Sequence, residues 1–297
     1  MIIDAHCHAG VGDGLTGPWD TRAPLAGYLR RADRAGIART VLLPAFHSDY
    51  EVANRDLARI VHTGAGRFIG FAMVHPDRDA GRVARLVSTA VREYDFRGIK
   101  VHRHDGRISR EICETARAYQ LPVLYDVMGE TSAVELIATE YPTVTFVIPH
   151  LGSFADDWRA HLSVIDQLVR YPNVYADTSG VRRFDYLIEA VRRAGPGKLI
   201  YGSDGPFLHP GLELAKVRAL ELPPLAERMV TGGTITRLLR RPARAGAHQM
   251  PRAAGHVRVP AGPDAIGRAR PLAEDPWAPV APSAAARSNY EAACYAC

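Results

Sequence analysis

Residues 98–126 read GIKVHRHDGRISREICETARAYQLPVLYD. Gly98–His102 is a short β-rich apolar run. In Arg110–Ala118, Ile112, Cys113 and Ala116 recur at three- and four-residue steps, the period of one helix face. Pro122–Asp126 is β-rich again. The segment therefore reads strand, helix, strand. Both strands finish in groups that an apolar strand has no packing reason to carry: Lys100 and His102 on the first, Asp126 on the second.

The same alternation extends in both directions. Candidate strands are Met1–His6, Arg39–Pro44, Arg67–Val74, Gly98–His102, Pro122–Asp126, Val144–His150, Val174–Thr178 and Leu199–Asp204. Amphipathic stretches lie at Leu25–Ala35, Asn54–Thr63, Ala80–Tyr94, Arg110–Ala118, Ser132–Glu140, Trp158–Arg170 and Arg183–Ala194. Val83, Leu86, Val87, Ala90 and Val91 show the helical period most clearly. Strand and helix alternating to eight predicts an α/β fold of the (β/α)8 TIM-barrel type. The competing doubly wound sheet calls for a glycine-rich phosphate turn after an early strand, and none is present. A last helix over Leu225–Arg241 ends the cycle. From Pro242 to Cys297 the sequence is rich in Ala, Pro, Arg and Gly and keeps no period, so residues 1–241 are expected to form the barrel and 242–297 a disordered or loosely packed tail.

Composition narrows the function classes. Of the 297 residues, 47% are hydrophobic and 23% charged, enough for a packed core and too apolar for wholesale disorder. The 37 basic residues include three lysines (Lys100, Lys198, Lys216), which leaves 34 arginines and a net charge of +5. The pI is about 9.1. No dense Lys/Arg run with interleaved aromatics appears, so a nucleic-acid partner is not expected. No apolar run approaches the ~20 residues of a membrane span, and the N-terminus carries no secretory pattern. Cys7, Cys113, Cys294 and Cys297 are too few for a disulfide framework at this length, which predicts a reducing, cytoplasmic setting. Cys7 is expected between barrel and helices and Cys113 within a helix. A lone Cys-x-x-Cys at 294–297 is read as exposed thiols.

Titratable residues cluster at the predicted strand ends. His6 and His8 point the same way along an extended chain and Cys7 points opposite, so the two imidazoles can share one ion. Lys100, His102, Asp126, His150, Asp177 and Asp204 occupy the ends of later strands. A barrel gathers such ends round one mouth. Asp177-Thr178-Ser179 also suits a plain structural role, bonding its own loop backbone. Phe46, His47, His75, Arg182, Arg183, Phe207 and His209 lie just beyond strand ends and are candidates for the substrate pocket. The arginine pair suits a carboxylate.

Several stretches together resemble the amidohydrolase superfamily, in particular its amidohydrolase-2 branch of metal-dependent hydrolases and decarboxylases. They are Ile3-Asp4-Ala5-His6-Cys7-His8, Gly98-Ile99-Lys100-Val101-His102, His150-Leu151-Gly152, Tyr175-Ala176-Asp177-Thr178-Ser179 and Tyr201-Gly202-Ser203-Asp204-Gly205-Pro206. Val230-Thr231-Gly232-Gly233-Thr234 resembles the closing Gly-Gly-Asn helix start, with Thr234 where Asn is usual. The resemblance runs from residue 1 to about 241.

It implies one divalent ion, zinc or else manganese, held by His6, His8 and Asp204. Asp204 would also take a proton from activated water, and His150 would polarise the substrate or assist proton transfer. A bound zinc ion lowers the pKa of its water to about 7. One departure stands out: Asp126 replaces the histidine that usually ends the fifth strand and binds the metal. A carboxylate can ligate zinc or manganese, weakening the ion as a Lewis acid, or it can mark a site that no longer binds tightly. His102 could stand in for it. Some branches use a carbamylated lysine at the Lys100 strand to bridge two ions, though a single ion is more usual here. Lys100, His102, Phe46, Arg182 and Phe207 are the expected substrate contacts. The resemblance further implies a small-molecule substrate and admits a homodimer. The expected function is hydrolysis of a small ester, lactone or amide. The alternatives are non-oxidative decarboxylation of an aromatic or unsaturated acid, and a metal-poor barrel used only for binding.

Overall fold

A computed structural model describes residues 1–16 and 20–240. Among these, nine strands form one sheet in the order β2-β1-β3-β4-β5-β6-β7-β8-β9. They are β1 (Ile2–Val11), β2 (Arg22–Ala23), β3 (Ile37–Pro44), β4 (Phe68–Met73), β5 (Gly98–His102), β6 (Val123–Asp126), β7 (Phe146–Ile148), β8 (Val174–Asp177) and β9 (Leu199–Ile200). Every pairing is parallel except the short β1–β2 ladder. The sheet curls until its edges meet: Ala5 N–H donates to the Tyr201 carbonyl at 3.0 Å, and Cys7 bridges to Gly205 in parallel.

Helices join consecutive parallel strands: α1 (Leu25–Ala35), α2 (Tyr50–Thr63), α3 (Val83–Arg92), α4 (Arg110–Tyr119), α5 (Ser132–Glu140), α6 (Trp158–Arg170) and α7 (Phe184–Ala194). Asp49, Ser109 and Asp157 start α2, α4 and α6 by accepting backbone N–H groups of the first turn. Strand parity divides the core. Ile99, Val101, Val123, Tyr125, Phe146 and Ala176 pack outward with helical residues such as Val87, Ile112 and Val164. Ile3, Ala5, Val41, Leu43, Phe71, Leu124, Val147 and Ile200 pack inside the curl. Continuous apolar strands follow from burial on both faces.

Several boundaries differ from the sequence reading. β1 continues through His6, Cys7 and His8 to Val11, so the histidines lie inside the strand instead of following it. Asp4 pairs with Thr40 and Cys7 with Leu42, so β1 carries one extra residue there. This bulge breaks the parity. Ile3 and Ala5 face the interior, yet beyond it Cys7 and Ala9 pack outward and His6 and His8 face in. The expected closing helix over Leu225–Arg241 is divided into α9 (Pro224–Arg228), a π-type turn and α10 (Thr234–Leu238). The break falls at Gly232, where the chain runs against the Met1 carbonyl and has no room for a side chain. A further helix, α8 (Pro210–Arg218), precedes it. The 242–297 tail, with Cys294 and Cys297, lies outside the described residues. Cys7 and Cys113 are buried free thiols, as expected. No helix among the described residues is long and apolar enough to cross a membrane.

Candidate active site

The inward-facing residues at the C-terminal strand ends line a cavity of about 490 Å³. His6 and His8 reach it from β1, Lys100 and His102 from β5, Asp126 from β6, His150 from the turn after β7 and Asp204 from the segment after β9. Asp20, Met128, Ser153, Phe154, Ala155 and Phe207 complete the wall.

Each imidazole is oriented by its other nitrogen. His6 Nδ1 donates to Asp177 Oδ2 at 2.8 Å. His8 Nδ1 donates to the Pro44 carbonyl at 2.9 Å. Both Nε2 atoms are thereby left with lone pairs facing the cavity. Asp204 Oδ1 lies 3.4 Å from His6 Nε2 and 3.7 Å from His8 Nε2. The ligand atoms of His6, His8 and Asp204 fall within 4.8 Å of one another. His6 Nε2 is buried without a hydrogen-bond partner among the described residues. A borderline cation suits this set of two neutral imidazoles and one carboxylate, each imidazole braced from behind. Gly202 allows the approach: a Cβ there would come within 2.9 Å of His6 Cβ.

A second group faces it. Asp126 Oδ2 lies 3.3 Å from Nε2 of both His102 and His150. His102 Nδ1 accepts from the His104 N–H, so its proton sits on Nε2, toward Asp126. His150 Nδ1 donates to the Ser179 carbonyl at 2.9 Å. With an acceptor at each nitrogen, His150 is held as imidazolium. Burial opposes that charge, but Asp126 outweighs it and raises the pKa to about 9. Burial likewise opposes ionisation of Asp126, and His102 and His150 overcome it, holding the carboxyl well below its usual value. Burial dominates at the other group, raising Asp204 to about 7 and lowering His6 to about 4. Burial works against Asp177 too, but His6 and His150 bring it down to about 2.

Of the sequence candidates, His6, His8, Lys100, His102, Asp126, His150, Asp204 and Phe207 meet at this cavity. Asp126 stands with His102 and His150, outside the compact ligand group. Phe46 is buried behind the wall, edge-on to His102 with ring centres 4.9 Å apart. Arg182 and Arg183 are exposed, Arg183 paired with Asp185, and neither lines the cavity. His75 receives the N–H groups of Asp77 and Arg78, His47 lies against Asp13, and His209 caps α8. The loop-structuring role expected of Asp177 is present, since Oδ1 accepts from the His150 and Ser179 N–H groups. Its grip on His6 was missed, although its inward parity at the β8 tip was a legible signal. Asp20, Met128 and Phe154 carry no such signal, because loop side chains have no periodicity.

The amidohydrolase family Amidohydro_2 matches residues 3–241. The chain belongs to the amidohydrolase family. Solved structures similar to this amidohydrolase include a 2,6-dihydroxybenzoate decarboxylase from Rhizobium (14% identity, TM-score 0.63, covering 80% of this chain and 98% of that one). A second is a dihydroxybenzoic acid decarboxylase from Polaromonas sp. JS666 with bound manganese and 2-nitroresorcinol (17%, 0.64, 80% and 96%). A third is an amidohydrolase from Burkholderia multivorans with bound zinc (18%, 0.67, 80% and 99%). At these identities the likeness speaks for the fold. No curated protein sequence matches this amidohydrolase.

Proposed function

We propose that this amidohydrolase is a closed (β/α)8 barrel that hydrolyses a small ester, lactone or amide with one divalent ion. The observation that carries this reading is the pair of braced imidazoles whose free Nε2 atoms converge on Asp204. His6, His8 and Asp204 would hold the ion, zinc or manganese, which when bound supplies Lewis-acid polarisation and makes water acidic enough to attack near neutral pH. Asp204 takes the proton from the attacking water, its carboxylate standing beside the two imidazoles at the cavity. His150 carries a proton toward the developing negative charge on the substrate oxygen, and Asp126 keeps it there. Phe154, Phe207 and Met128 limit water and bind the apolar part of the substrate.

A second reading is non-oxidative decarboxylation of an aromatic acid. It is supported by the same apolar wall, which suits a flat ring. His150 would then give its proton to a ring carbon as carbon dioxide leaves.

Elemental analysis of the wild type and of a His6→Ala/His8→Ala double variant tests the metal site. About one ion per chain is expected in the wild type and none in the variant. An ion-free wild type after incubation with zinc or manganese would overturn the proposal in favour of a binding barrel. Turnover in heavy-oxygen water separates the two reactions: hydrolysis places the label in the product acid, and decarboxylation releases carbon dioxide from an unlabelled substrate.

A further inference from the structure

His161 is fully buried near the start of α6 and does not line the active-site cavity. Its neighbours on the buried face of the helix are Ala160, Val164, Ile165, Gln167 and Leu168. A polar ring in such surroundings is costly unless it is bonded. Nδ1 donates to the Leu151 carbonyl at 3.1 Å, and the ring lies against Tyr186 with centres 5.0 Å apart. Nε2 faces Asp156 Oδ1 at 3.7 Å, and neither atom has a hydrogen-bond partner among the described residues. The bond to Leu151 is therefore the one hydrogen bond this ring makes among those residues.

Leu151 belongs to the turn that presents His150. Both residues are left-handed, with φ of 57° at His150 and 48° at Leu151. Two successive non-glycine residues in that region are strained and persist only where their surroundings hold them. Each carbonyl of the turn is engaged. The His150 carbonyl accepts from the Ser153 N–H and the Gly152 carbonyl from the Gly129 N–H, while the Leu151 carbonyl is held by a side chain.

We infer that His161 is a positioning residue for His150: its Nδ1–H holds the Leu151 carbonyl and so fixes the left-handed turn that aims His150 at Asp126. The inference rests on the proton-carrying role given to His150 in the proposed function and adds a residue to that site. With no donor at position 161, the turn can relax toward right-handed backbone. The His150 ring then leaves Asp126 and the Ser179 carbonyl, the two acceptors that orient it. His161 is buried on every side, so water does not replace the missing donor.

An asparagine at this position keeps an N–H donor at the δ position, and a leucine keeps none. With ¹⁵N-histidine labelling of the full-length protein, His161→Leu should shift the His150 ring signals, and His161→Asn should return them toward wild type. Amide exchange at His150 and Ser153 should speed up by ~tenfold or more in the leucine variant and stay near wild type in the asparagine variant. Both variants lose the packing of the ring, so a residue that merely fills space would move both alike, and that result overturns the inference. An unmoved His150 signal in the leucine variant also overturns it. A wild-type readout covers a variant that fails to fold: His161 Nδ1 should carry a slowly exchanging proton, and an unprotonated Nδ1 refutes the bond to Leu151. An ion-free wild type with all these signatures intact sinks the proposed hydrolysis alone, whereas failure here leaves the metal site as proposed.

Discussion

Asp126 shares one oxygen between His102 and His150, and this makes the protonation of His150 a property of its partner. Burial alone would lower the His150 pKa, whereas Asp126 lifts it to about 9. Because the folded value lies above the unfolded value of ~6.5, the imidazolium contributes stability that is full below ~6.5. That contribution is lost as pH rises through about 9. Asp126→Asn removes the largest influence opposing burial and leaves only the weaker charges of Asp204 and Asp177 against it. The His150 ring should then titrate well below its wild-type value in a proton NMR titration, and the alkaline limb of kcat/KM should move to lower pH. An unmoved His150 titration would refute the coupling.

The turn after β7 shows how an element sets up a side chain. His150 and Leu151 have φ of 57° and 48°, and Gly152 follows at 97°. Asp177 fixes this turn from β8 by accepting the His150 N–H. A Cβ on Gly152 would meet Val164 Cγ2 at 2.6 Å and would adopt a left-handed conformation unsuited to alanine. Gly152→Ala should therefore cost ~1–3 kcal/mol in urea unfolding and lower kcat through a displaced His150. Unchanged stability would argue against strain at this turn. The helices were legible at this scale: α1, α5 and α6 fall on the amphipathic stretches read from the sequence. α8 was not, because Pro210 and Gly211 read as breakers and Leu212 is exposed. β1 was cut short at its histidines, because polar residues inside a strand look like its end until the cavity explains them.

Across the whole molecule, Asp4 ties the two edges of the sheet together. It is buried and accepts from the N–H groups of His6 and Ser203 and from the Tyr28 and Ser203 hydroxyls. Two of the residues it binds are a candidate ligand or adjoin one: His6 itself, and Ser203 beside Asp204. Asp4→Ala strands several buried donors, and a loss of at least ~3 kcal/mol is expected in chemical denaturation. Metal content should fall with it. A chain ending at Arg241, where the family match stops, should melt at the full-length temperature. A lower melting temperature by differential scanning calorimetry would place part of the stabilising core beyond that residue.

The sequence by itself determined the alternation of strand and helix, the family, and the strand-end polar residues that reach one cavity, His6, His8, Lys100, His102, Asp126, His150 and Asp204. Hydrophobic period and strand parity are local, and polar groups at strand ends stand out against apolar runs. Only the tertiary structure decided which of those residues act on one another. The extra residue in β1 set which side chains face inward beyond it. The curl of the sheet brought Asp204 to His6 and His8, placed Asp126 between two histidines, and left Lys100 buried without a partner. Those relations join residues from different strands, and no spacing along the chain encodes a distance across the mouth.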